Sequence, residues 1–278
     1  ARYKLYNGGY KIYSSQDSKV QEKLEEEMKK SKYIIKSSKK KEKTSQASGI
    51  IIDHKTGEVM GAVGGLGDET QMYKDSWNRV TRTKRQTGSI MKTIGVVSPG
   101  IESGKLTAAT GLNDAPLQIG SYKPKNYTGR FQGWMTLRHA LELSENIPQI
   151  RALQEIGIDT SYKFLKKMNF PVTEDDKNLG ALALGGLQHG ATVQDMVGAY
   201  GMIANDGVFS KPTYIKKITD NDGKEVYKNE PEKKQVKMMS KEASFIVKDM
   251  LRGVITSPSG TAGYATIPNF DSAGKTGT

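Results

Sequence analysis

Patterns typical of β-strands lie towards both ends of this chain, and patterns typical of α-helices fill its middle. Ile50–Ile52 and Val59–Val63 are short apolar runs joined by a turn that ends at Gly57, a residue that adopts positive φ without strain. Tyr214–Ile218 and Glu225–Tyr227 flank a second turn of the Asn-Asp-Gly type. Strands separated by a block of helices indicate an α+β fold, in which a sheet-and-helix layer packs against an all-helical subdomain.

The spacing of apolar residues predicts the other elements. A charged helix over Asp17–Lys32 carries an apolar stripe at every fourth position. Gly111–Gly133 is rich in Gly, Pro, Asn and Tyr and is predicted to be irregular, whereas Phe270–Thr278 is predicted to begin a strand. The remaining helices are predicted at residues 90–102, 136–143, 147–156, 161–168, 192–204 and 240–254.

The length of 278 residues suits one large domain or two small ones. We predict that residues 1–47 form an opening strand, a helix and a lysine-rich loop that lead into the main domain. That loop contains Lys39–Lys43 in a Ser/Thr-rich stretch and is expected to be solvated and mobile. Residues 48–278 are predicted to form the main domain, with its helical subdomain at about 89–206.

The composition excludes several classes of protein. The net charge is +12, but the lysines are scattered and no nucleic-acid-binding signature accompanies them, so we expect a solvated surface and no nucleic-acid partner. Attraction to anionic cell-surface polymers or lipid headgroups is the alternative. The absence of cysteine excludes disulfides and thiolate chemistry. No run approaches the roughly 18 apolar residues of a membrane span, so this stretch of chain is expected to be soluble, whatever lies outside it.

Ser89-Ile90-Met91-Lys92 is the feature most informative about chemistry. A serine one helical turn before a lysine lies on the same helix face, so the hydroxyl and the amine can meet. Gly88 allows a tight turn into this helix, whose N-terminal N–H groups favour developing negative charge. A serine becomes a nucleophile without histidine when the lysine is held neutral by burial or by a neighbouring cation. Alone, the motif is common by chance and describes an exposed Ser and Lys on an ordinary helix.

Two further motifs lie downstream. Ser144-Glu145-Asn146 follows a predicted helix, and Lys275-Thr276-Gly277-Thr278 forms the last four residues of the sequence. Alone, the first would be read as helix capping and a turn, and the second as a polar chain end. Together with Ser89–Lys92 they form an ordered triple, because S-x-x-K, S-D-N and K-T-G occur jointly in class A β-lactamases and penicillin-binding proteins. The middle residue here is Glu, while the two polar ends of that motif are kept.

On these residues the chain resembles the transpeptidase domain of a penicillin-binding protein, and most of all the bifunctional class A type. The resemblance extends from about Asn7 to Thr278. It implies an antiparallel sheet of about five strands flanked by helices, an all-helical subdomain, and an active site between them. It also implies an extracytoplasmic location at the outer face of the bacterial cytoplasmic membrane, with the anchor outside this chain. Further similar stretches are Gly9–Ser15, Gly49–Gly65, Trp77–Val80, Asn126–Tyr127, Leu137–Leu141 and Ala204–Gly207.

The resemblance implies a role for each motif residue. Ser89 would attack the carbonyl of a terminal D-Ala-D-Ala bond and form an acyl-enzyme, while Lys92 takes its proton. Ser144 would relay that proton to the leaving amine, and Lys275 would keep the cationic balance of the site. Asn146 would hold the substrate amide and help to orient Lys92.

The last four residues would complete the substrate site. The backbone N–H groups of Ser89 and Thr278 would form the oxyanion hole. The hydroxyls of Thr276 and Thr278, in the segment that contains Gly277, would bind the terminal carboxylate together with Lys275. An amine from a neighbouring peptidoglycan stem peptide would then accept the acyl group, and a β-lactam antibiotic would acylate Ser89 in place of the dipeptide. No cofactor and no metal are expected.

Three further residues are candidates for the walls of the cleft. Asn126, Tyr127 and Trp134 are expected to contact an elongated substrate, which needs aromatic and polar walls, and buried packing is the alternative. Metal binding is not expected, because the three histidines at positions 54, 139 and 189 are too dispersed to form a ligand cluster.

Two rival functions stay open. A serine β-lactamase needs a base for deacylation, and Glu174 with Asn178 has a suitable spacing but lies in an acidic stretch that is better interpreted as a solvated loop. A β-lactam sensor or wall-binding module that does not turn over is the second rival. The resemblance also implies two more strands and a helix after Lys275–Thr278, and without them the sheet would have an unpaired edge. We therefore hypothesise that a separate C-terminal fragment completes the sheet.

Overall fold

A computed structural model describes residues 6–36, 45–67 and 77–278 of the chain. In chain order the strands are β1 (Lys11–Ser14), β2 (Gly49–Ile52), β3 (Val59–Val63), β4 (Gly111–Asp114), β5 (Gly133–Thr136), β6 (Val208–Phe209), β7 (Ile215–Thr219), β8 (Glu225–Lys228) and β9 (Val236–Lys237). The α-helices are α1 (Ser18–Met28), α2 (Arg79–Arg82), α3 (Ser98–Glu102), α4 (Leu137–Glu142), α5 (Ile147–Ile156), α6 (Ile158–Lys167), α7 (Leu179–Leu184), α8 (Val193–Ala204), α9 (Pro231–Lys234) and α10 (Lys241–Thr256). These elements confirm the predicted α+β class.

The chain divides into two compact units. The first is formed by Ala1–Lys84, Thr192–Gly201 and Phe209–Gln235, and the second by Arg85–Ala191, Met202–Val208 and Val236–Thr278. The predicted boundary between residues 47 and 48 stays a prediction, and the lysine-rich loop at Lys39–Lys43 lies outside the described residues. No helix in the described ranges is both long enough and apolar enough to cross a membrane.

The first unit contains both predicted hairpins. Strand β7 pairs antiparallel with β1 on one side and with β8 on the other, and β2 pairs with β3. The expected sheet of about five strands is therefore split into ladders of three and two strands. An isolated parallel bridge joins Glu58, which precedes β3, to Thr213, which precedes β7.

Helix α1 covers the β2–β3 hairpin, as its apolar stripe predicts. The side chain of Asp17 accepts a hydrogen bond from the N–H of Val20 and caps the helix. Leu24 and Met28 lie against Gly49 of β2, so the stripe faces the hairpin and the charged residues face solvent. The helix ends four residues before the predicted Lys32.

The second unit is mainly helical and holds a tightly packed core. Helix α5 has the predicted bounds, and its side chains of Ile147, Ile150, Leu153 and Ile156 are fully buried. Each such side chain contributes about 1.5–3 kcal/mol of hydrophobic free energy. The helix ends at Gly157, where φ is +88°, and α6 begins directly after it, three residues before the predicted start.

The helix that was predicted over residues 90–102 is not a regular α-helix. It begins with a 3₁₀ turn at Gly88–Ile90, is α-helical at Met91 and Lys92, widens to a π-helix over Thr93–Val97, and returns to α-helix in α3. All five residues of the π-helix are buried. Gly95 lies so close to the carbonyl oxygen of Leu182 that a Cβ would stand 2.1 Å from it. The local sequence does not predict the π-helix, a conformation that occurs frequently at functional sites.

Two predictions for the second unit are wrong. The ends of Gly111–Gly133 are not irregular, because β4 and β5 pair there in register from Gly111–Thr136 to Asp114–Gly133. Gly, Asn and Asp are poor strand formers, so cross-strand pairing overrides their propensity. Phe270–Thr278 does not begin a strand, because a strand requires a pairing partner and this segment pairs with no other described residues.

Candidate active site

The side chain of Lys92 is fully buried and lies at the centre of the three motifs. Its Nζ atom is 3.0 Å from the Oγ atom of Ser89, one helical turn earlier, as the motif predicts. The same amine donates to the backbone carbonyl of Ser144 at 2.5 Å and to Oδ1 of Asn146 at 2.7 Å. The structure therefore brings the first two motifs together around one nitrogen.

The surroundings of Lys92 favour its neutral form. Burial, followed by the positive charge of Lys275, lowers the pKa of Lys92 from 10.5 to about 7, although the carboxylate of Glu145 acts in the opposite direction. A neutral amine has two hydrogens and one lone pair. Two of its contacts, the carbonyl oxygens of Ser144 and Asn146, can only accept hydrogen bonds. Its lone pair is then left for the hydroxyl proton of Ser89.

Ser144 lies between the two lysines. Its Oγ atom is 2.7 Å from Nζ of Lys275 and 3.3 Å from Nζ of Lys92. The backbone of Ser144 has φ of +59°, which is uncommon for a residue other than glycine. Such strain is typical of functional positions, and here it turns the hydroxyl towards both amines.

The last motif contributes a second amine and a second set of hydroxyls. Burial lowers the pKa of Lys275 from 10.5 to about 8, so this lysine carries most of its charge at neutral pH. The Oγ1 atom of Thr276 is 2.9 Å from Oγ1 of Thr261, which fixes one point of the segment. Gly277 and Thr278 are exposed. An amine and hydroxyls at the open end of the site suit a carboxylate ligand.

Close backbone contacts set the entrance to the nucleophile helix. Gly88 has φ of +55°, and a Cβ on it would stand 2.1 Å from the carbonyl oxygen of Thr278. A Cβ on Gly185, where φ is +78°, would stand 2.4 Å from the backbone nitrogen of Gly88. These glycines let the backbone of the first motif pass directly between its neighbours.

These residues surround an open cavity of about 540 Å³, and every one of them belongs to the second unit. Ser89, Ser144, Asn146 and Thr276–Thr278 line it, together with Tyr127, which is 91 % exposed. Sequence reasoning missed four other wall residues. Leu143 directly precedes the second motif, whereas Leu184, Thr261 and Tyr264 are marked by no motif and are brought here only by tertiary packing.

The other two predicted wall residues do not line this cavity. Asn126 is 3 % exposed and is bonded to protein groups on all sides. Trp134 is 75 % exposed on β5, where its ring lies beside Gly111. Of these three candidates, Tyr127 alone lines the cavity, and its contact with substrate stays a prediction.

The candidate for a β-lactamase base, Glu174, is not at the cavity. Glu174 is exposed, 2.8 Å from Nζ of Lys177, and accepts a hydrogen bond from the hydroxyl of Tyr162. It does not line the cavity. Within the described ranges, no group of three or more His, Asp or Glu side chains is arranged to hold a metal ion.

Comparison with known proteins identifies the class to which this fold and this site belong. The family model of the penicillin binding protein transpeptidase domain matches residues 47–278. The chain is 34 % identical over 286 aligned residues to penicillin-binding protein 1A of Clostridium botulinum and 33 % identical over 273 to penicillin-binding protein 1F of Bacillus subtilis. These alignments cover 99 % and 98 % of this chain, but 34 % and 36 % of the relatives.

A solved structure shows the same fold. Penicillin binding protein 3 of Mycobacterium tuberculosis, complexed with ampicillin, superposes with a TM-score of 0.79 at 24 % identity, over 97 % of this chain and 64 % of that one. This chain therefore belongs to the penicillin-binding protein transpeptidase family. It spans about a third of the length of the curated relatives it matches.

Proposed function

We propose that this domain is a serine D,D-transpeptidase that cross-links peptidoglycan stem peptides. The family relationship supports the class of reaction. The observation that carries the assignment to residues is the 3.0 Å contact between Nζ of Lys92, an amine with a pKa of about 7, and Oγ of Ser89. A neutral amine at that distance is a competent general base for the hydroxyl.

During acylation one proton moves from Ser89 to the leaving amine by way of Lys92 and Ser144. Oγ of Ser89 attacks the carbonyl carbon of the D-Ala-D-Ala bond while its proton passes to the lone pair of Lys92. The hydroxyl of Ser144, in contact with both amines, passes its proton to the leaving D-Ala nitrogen and takes the proton held by Lys92 in its place, so both residues return to their starting protonation states. The C–N bond breaks, and an ester on Ser89 remains.

The remaining motif residues bind the substrate in this proposal. The charged Lys275 and the hydroxyls of Thr276 and Thr278 bind the terminal carboxylate. The backbone N–H groups of Ser89 and Thr278 stabilise the oxyanion, which is usually the largest electrostatic contribution to such a reaction. Asn146 holds both Lys92 and the amide of the stem peptide. An acceptor amine from a neighbouring stem peptide then attacks the ester, forms the cross-link and releases Ser89.

The same chemistry explains reaction with β-lactams, which we propose as inhibitors of this domain. Opening of the lactam by Ser89 breaks a C–N bond without releasing the amine from the site, so the adduct persists. Because peptidoglycan lies outside the cytoplasmic membrane, we also propose an extracytoplasmic location at its outer face.

Intact-mass spectrometry of the protein with penicillin tests the proposal, with Ser89→Ala as the matched control. We expect one adduct per chain that persists for minutes and is absent in Ser89→Ala. An adduct that clears within seconds would indicate a β-lactamase. A persistent adduct without cross-linking of stem peptides would indicate a sensor. The absence of any adduct on the unsubstituted chain would refute acylation of Ser89.

A further inference from the structure

Asp114 is a buried carboxylate that the proposed chemistry does not use. It ends strand β4, and its side chain is fully buried. Its Oδ1 atom accepts a hydrogen bond from Nδ2 of Asn126 at 2.7 Å, and its Oδ2 atom accepts one from the backbone N–H of Gln132 at 2.9 Å. Burying a carboxylate, like burying any ion, costs on the order of several kcal/mol of folding free energy unless hydrogen-bond donors satisfy it. The position of this one next to an active site therefore calls for a reason.

The amide of Asn126 uses every hydrogen-bonding position that it has. Its Nδ2 group donates to Asp114 and, at 2.9 Å, to the backbone carbonyl of Arg130. Its Oδ1 atom accepts from the backbone N–H of Asn146 at 3.0 Å and of Ile147 at 3.1 Å. The oxygen thus satisfies N–H groups at the start of α5.

Asp114 helps to select which end of the Asn126 amide faces helix α5. A carboxylate only accepts hydrogen bonds, so it selects the NH₂ end of Asn126 and leaves the oxygen for Asn146 and Ile147. A rotated amide would place NH₂ against two N–H donors and an oxygen against a carboxylate. The carboxylate therefore reinforces the orientation that the Arg130 carbonyl and the N–H groups of Asn146 and Ile147 also favour.

The same set of bonds continues to the catalytic amine. Asn146 donates through Nδ2 to the carbonyl of Lys125 at 2.8 Å, which fixes its own amide. Its Oδ1 atom then faces Nζ of Lys92 at 2.7 Å. A continuous series of hydrogen bonds thus runs from Asp114 through Asn126 and Asn146 to Lys92.

We propose that Asp114 is a positioning residue that holds Lys92 in line with Ser89 through the amide of Asn126 and the side chain of Asn146. This inference rests on the proposed transpeptidase chemistry. It differs from a purely structural role of Asp114, in which the carboxylate would only satisfy the β4–β5 hairpin.

Three variants test it: Asp114→Asn, Asn126→Asp and the double exchange of both. In Asp114→Asn, a single side-chain oxygen is left to accept from both Nδ2 of Asn126 and the backbone N–H of Gln132. In Asn126→Asp, two carboxylates lie next to each other and repel. In the double exchange the amide at position 114 donates to the carboxylate at position 126 and still accepts from Gln132. The carboxylate at 126 still accepts from Asn146 and Ile147, and only the carbonyl of Arg130 loses its donor.

The measured quantity is the rate of acylation of Ser89 by penicillin, at a temperature where each variant is folded. We expect each single substitution to slow acylation by roughly 10- to 100-fold, because small displacements of a catalytic group cost that much. The double exchange should recover at least about tenfold relative to Asp114→Asn, a coupling expected only of groups in contact. Asp175→Asn, which removes an exposed carboxylate of the same unit, is the control and should acylate at the unsubstituted rate.

The outcomes separate the two proposals. If the unsubstituted chain forms no adduct, the proposed function fails. If it does, and Asp114→Asn acylates equally fast, the positioning role is overturned. A double exchange as slow as the single variants likewise overturns it in favour of a structural role. Asn126→Asp keeps the helix cap, so it carries the test by itself if Asp114→Asn does not fold.

Discussion

The two walls of the cavity are held in different ways. The first wall consists of Ser89, Lys92, Ser144 and Asn146 and is named the buried wall after the lysine at its centre, which is 0 % exposed and bonded on several sides; the other three residues are half-buried. The exposed wall is Lys275–Thr278, in which Gly277 and Thr278 are exposed and Lys275 and Thr276 are half-buried, and it forms no strand within the described ranges. Proton transfer tolerates little displacement, whereas a carboxylate can be bound by a segment that adjusts to it. The difference in burial between Lys92 and the end of the exposed wall therefore follows the difference in chemistry.

The buried wall maintains its geometry at a cost in stability. It contains a lysine with a lowered pKa and a serine with positive φ, both of which favour the unfolded chain. Its surroundings must outweigh both effects. The exposed wall carries fewer such constraints, so substitutions in the two walls should differ in their effect on activity and on stability.

The largest effect is expected from Lys92→Met, which keeps the volume of the buried wall and removes its amine. Loss of a general base slows a reaction by about 10²- to 10⁴-fold, so acylation of Ser89 by penicillin should fall into that range. The rate of adduct formation by intact mass measures it. Lys237→Met, which removes an exposed lysine far along the chain, is the control. Acylation of Lys92→Met within a few-fold of the unsubstituted rate would exclude Lys92 as the base.

The same variant should change how stability depends on pH. The pKa of Lys92 is lowered from its ordinary value of 10.5 to about 7 in the folded state, so between these pH values the unfolded chain holds a proton that the folded chain lacks. The free energy of unfolding therefore rises with pH across this window, and the contribution is lost as pH falls through about 7. In Lys92→Met this rise should shrink. The free energy of unfolding is measured by urea denaturation at several pH values between 7 and 10. If it rises with pH as steeply in Lys92→Met as in the unsubstituted chain, the lowered pKa is contradicted.

The next effect concerns the contact at which the two walls meet. Gly88→Ala would place a Cβ 2.1 Å from the carbonyl of Thr278, while Gly104→Ala introduces a Cβ at similar φ of +70° with no atom within 4 Å. Both variants should lose about 1–2 kcal/mol from the positive φ. Only Gly88→Ala should also slow acylation, by roughly 10- to 100-fold, because it displaces the exposed wall. Equal acylation rates in the two variants would show that this contact does not matter.

The contacts of the buried wall were predictable from the sequence where both residues lie on the same helix, and not where they come from separate elements. Ser89 and Lys92 lie one turn apart on one helical run, so their contact follows from spacing alone. Asp114, Gln132 and Thr261 reach the site only through tertiary pairing, and no local pattern marks them. The π-helix and the missing strand at Phe270–Thr278 were not predictable either, because both depend on packing partners elsewhere in the chain.

A smaller effect is expected in the pH dependence of acylation, because each wall contains one lysine with its own pKa. Acylation should rise with pH through about 7, as Lys92 loses its proton, and decline above about 8, as Lys275 loses the charge that binds the carboxylate. The Glu145 carboxylate raises the pKa of Lys92, so Glu145→Gln should move the acid limb to lower pH and leave the alkaline limb in place. Gln still accepts the hydrogen bond from the side chain of Gln132. A pH profile in which both limbs move together would contradict separate control of the two lysines.

The smallest effect is expected in the exposed wall itself. Thr261→Val removes the hydroxyl that lies 2.9 Å from Oγ1 of Thr276 and keeps the shape of the side chain. A hydrogen bond of this kind contributes about 0.5–1.5 kcal/mol, so acylation should slow by roughly two- to tenfold. Thr256→Val, which removes an exposed hydroxyl at the end of α10, should leave the rate unchanged. A loss as large as that of Gly88→Ala would mean that the exposed wall is as rigidly required as the buried one, and the distinction between the walls would fail.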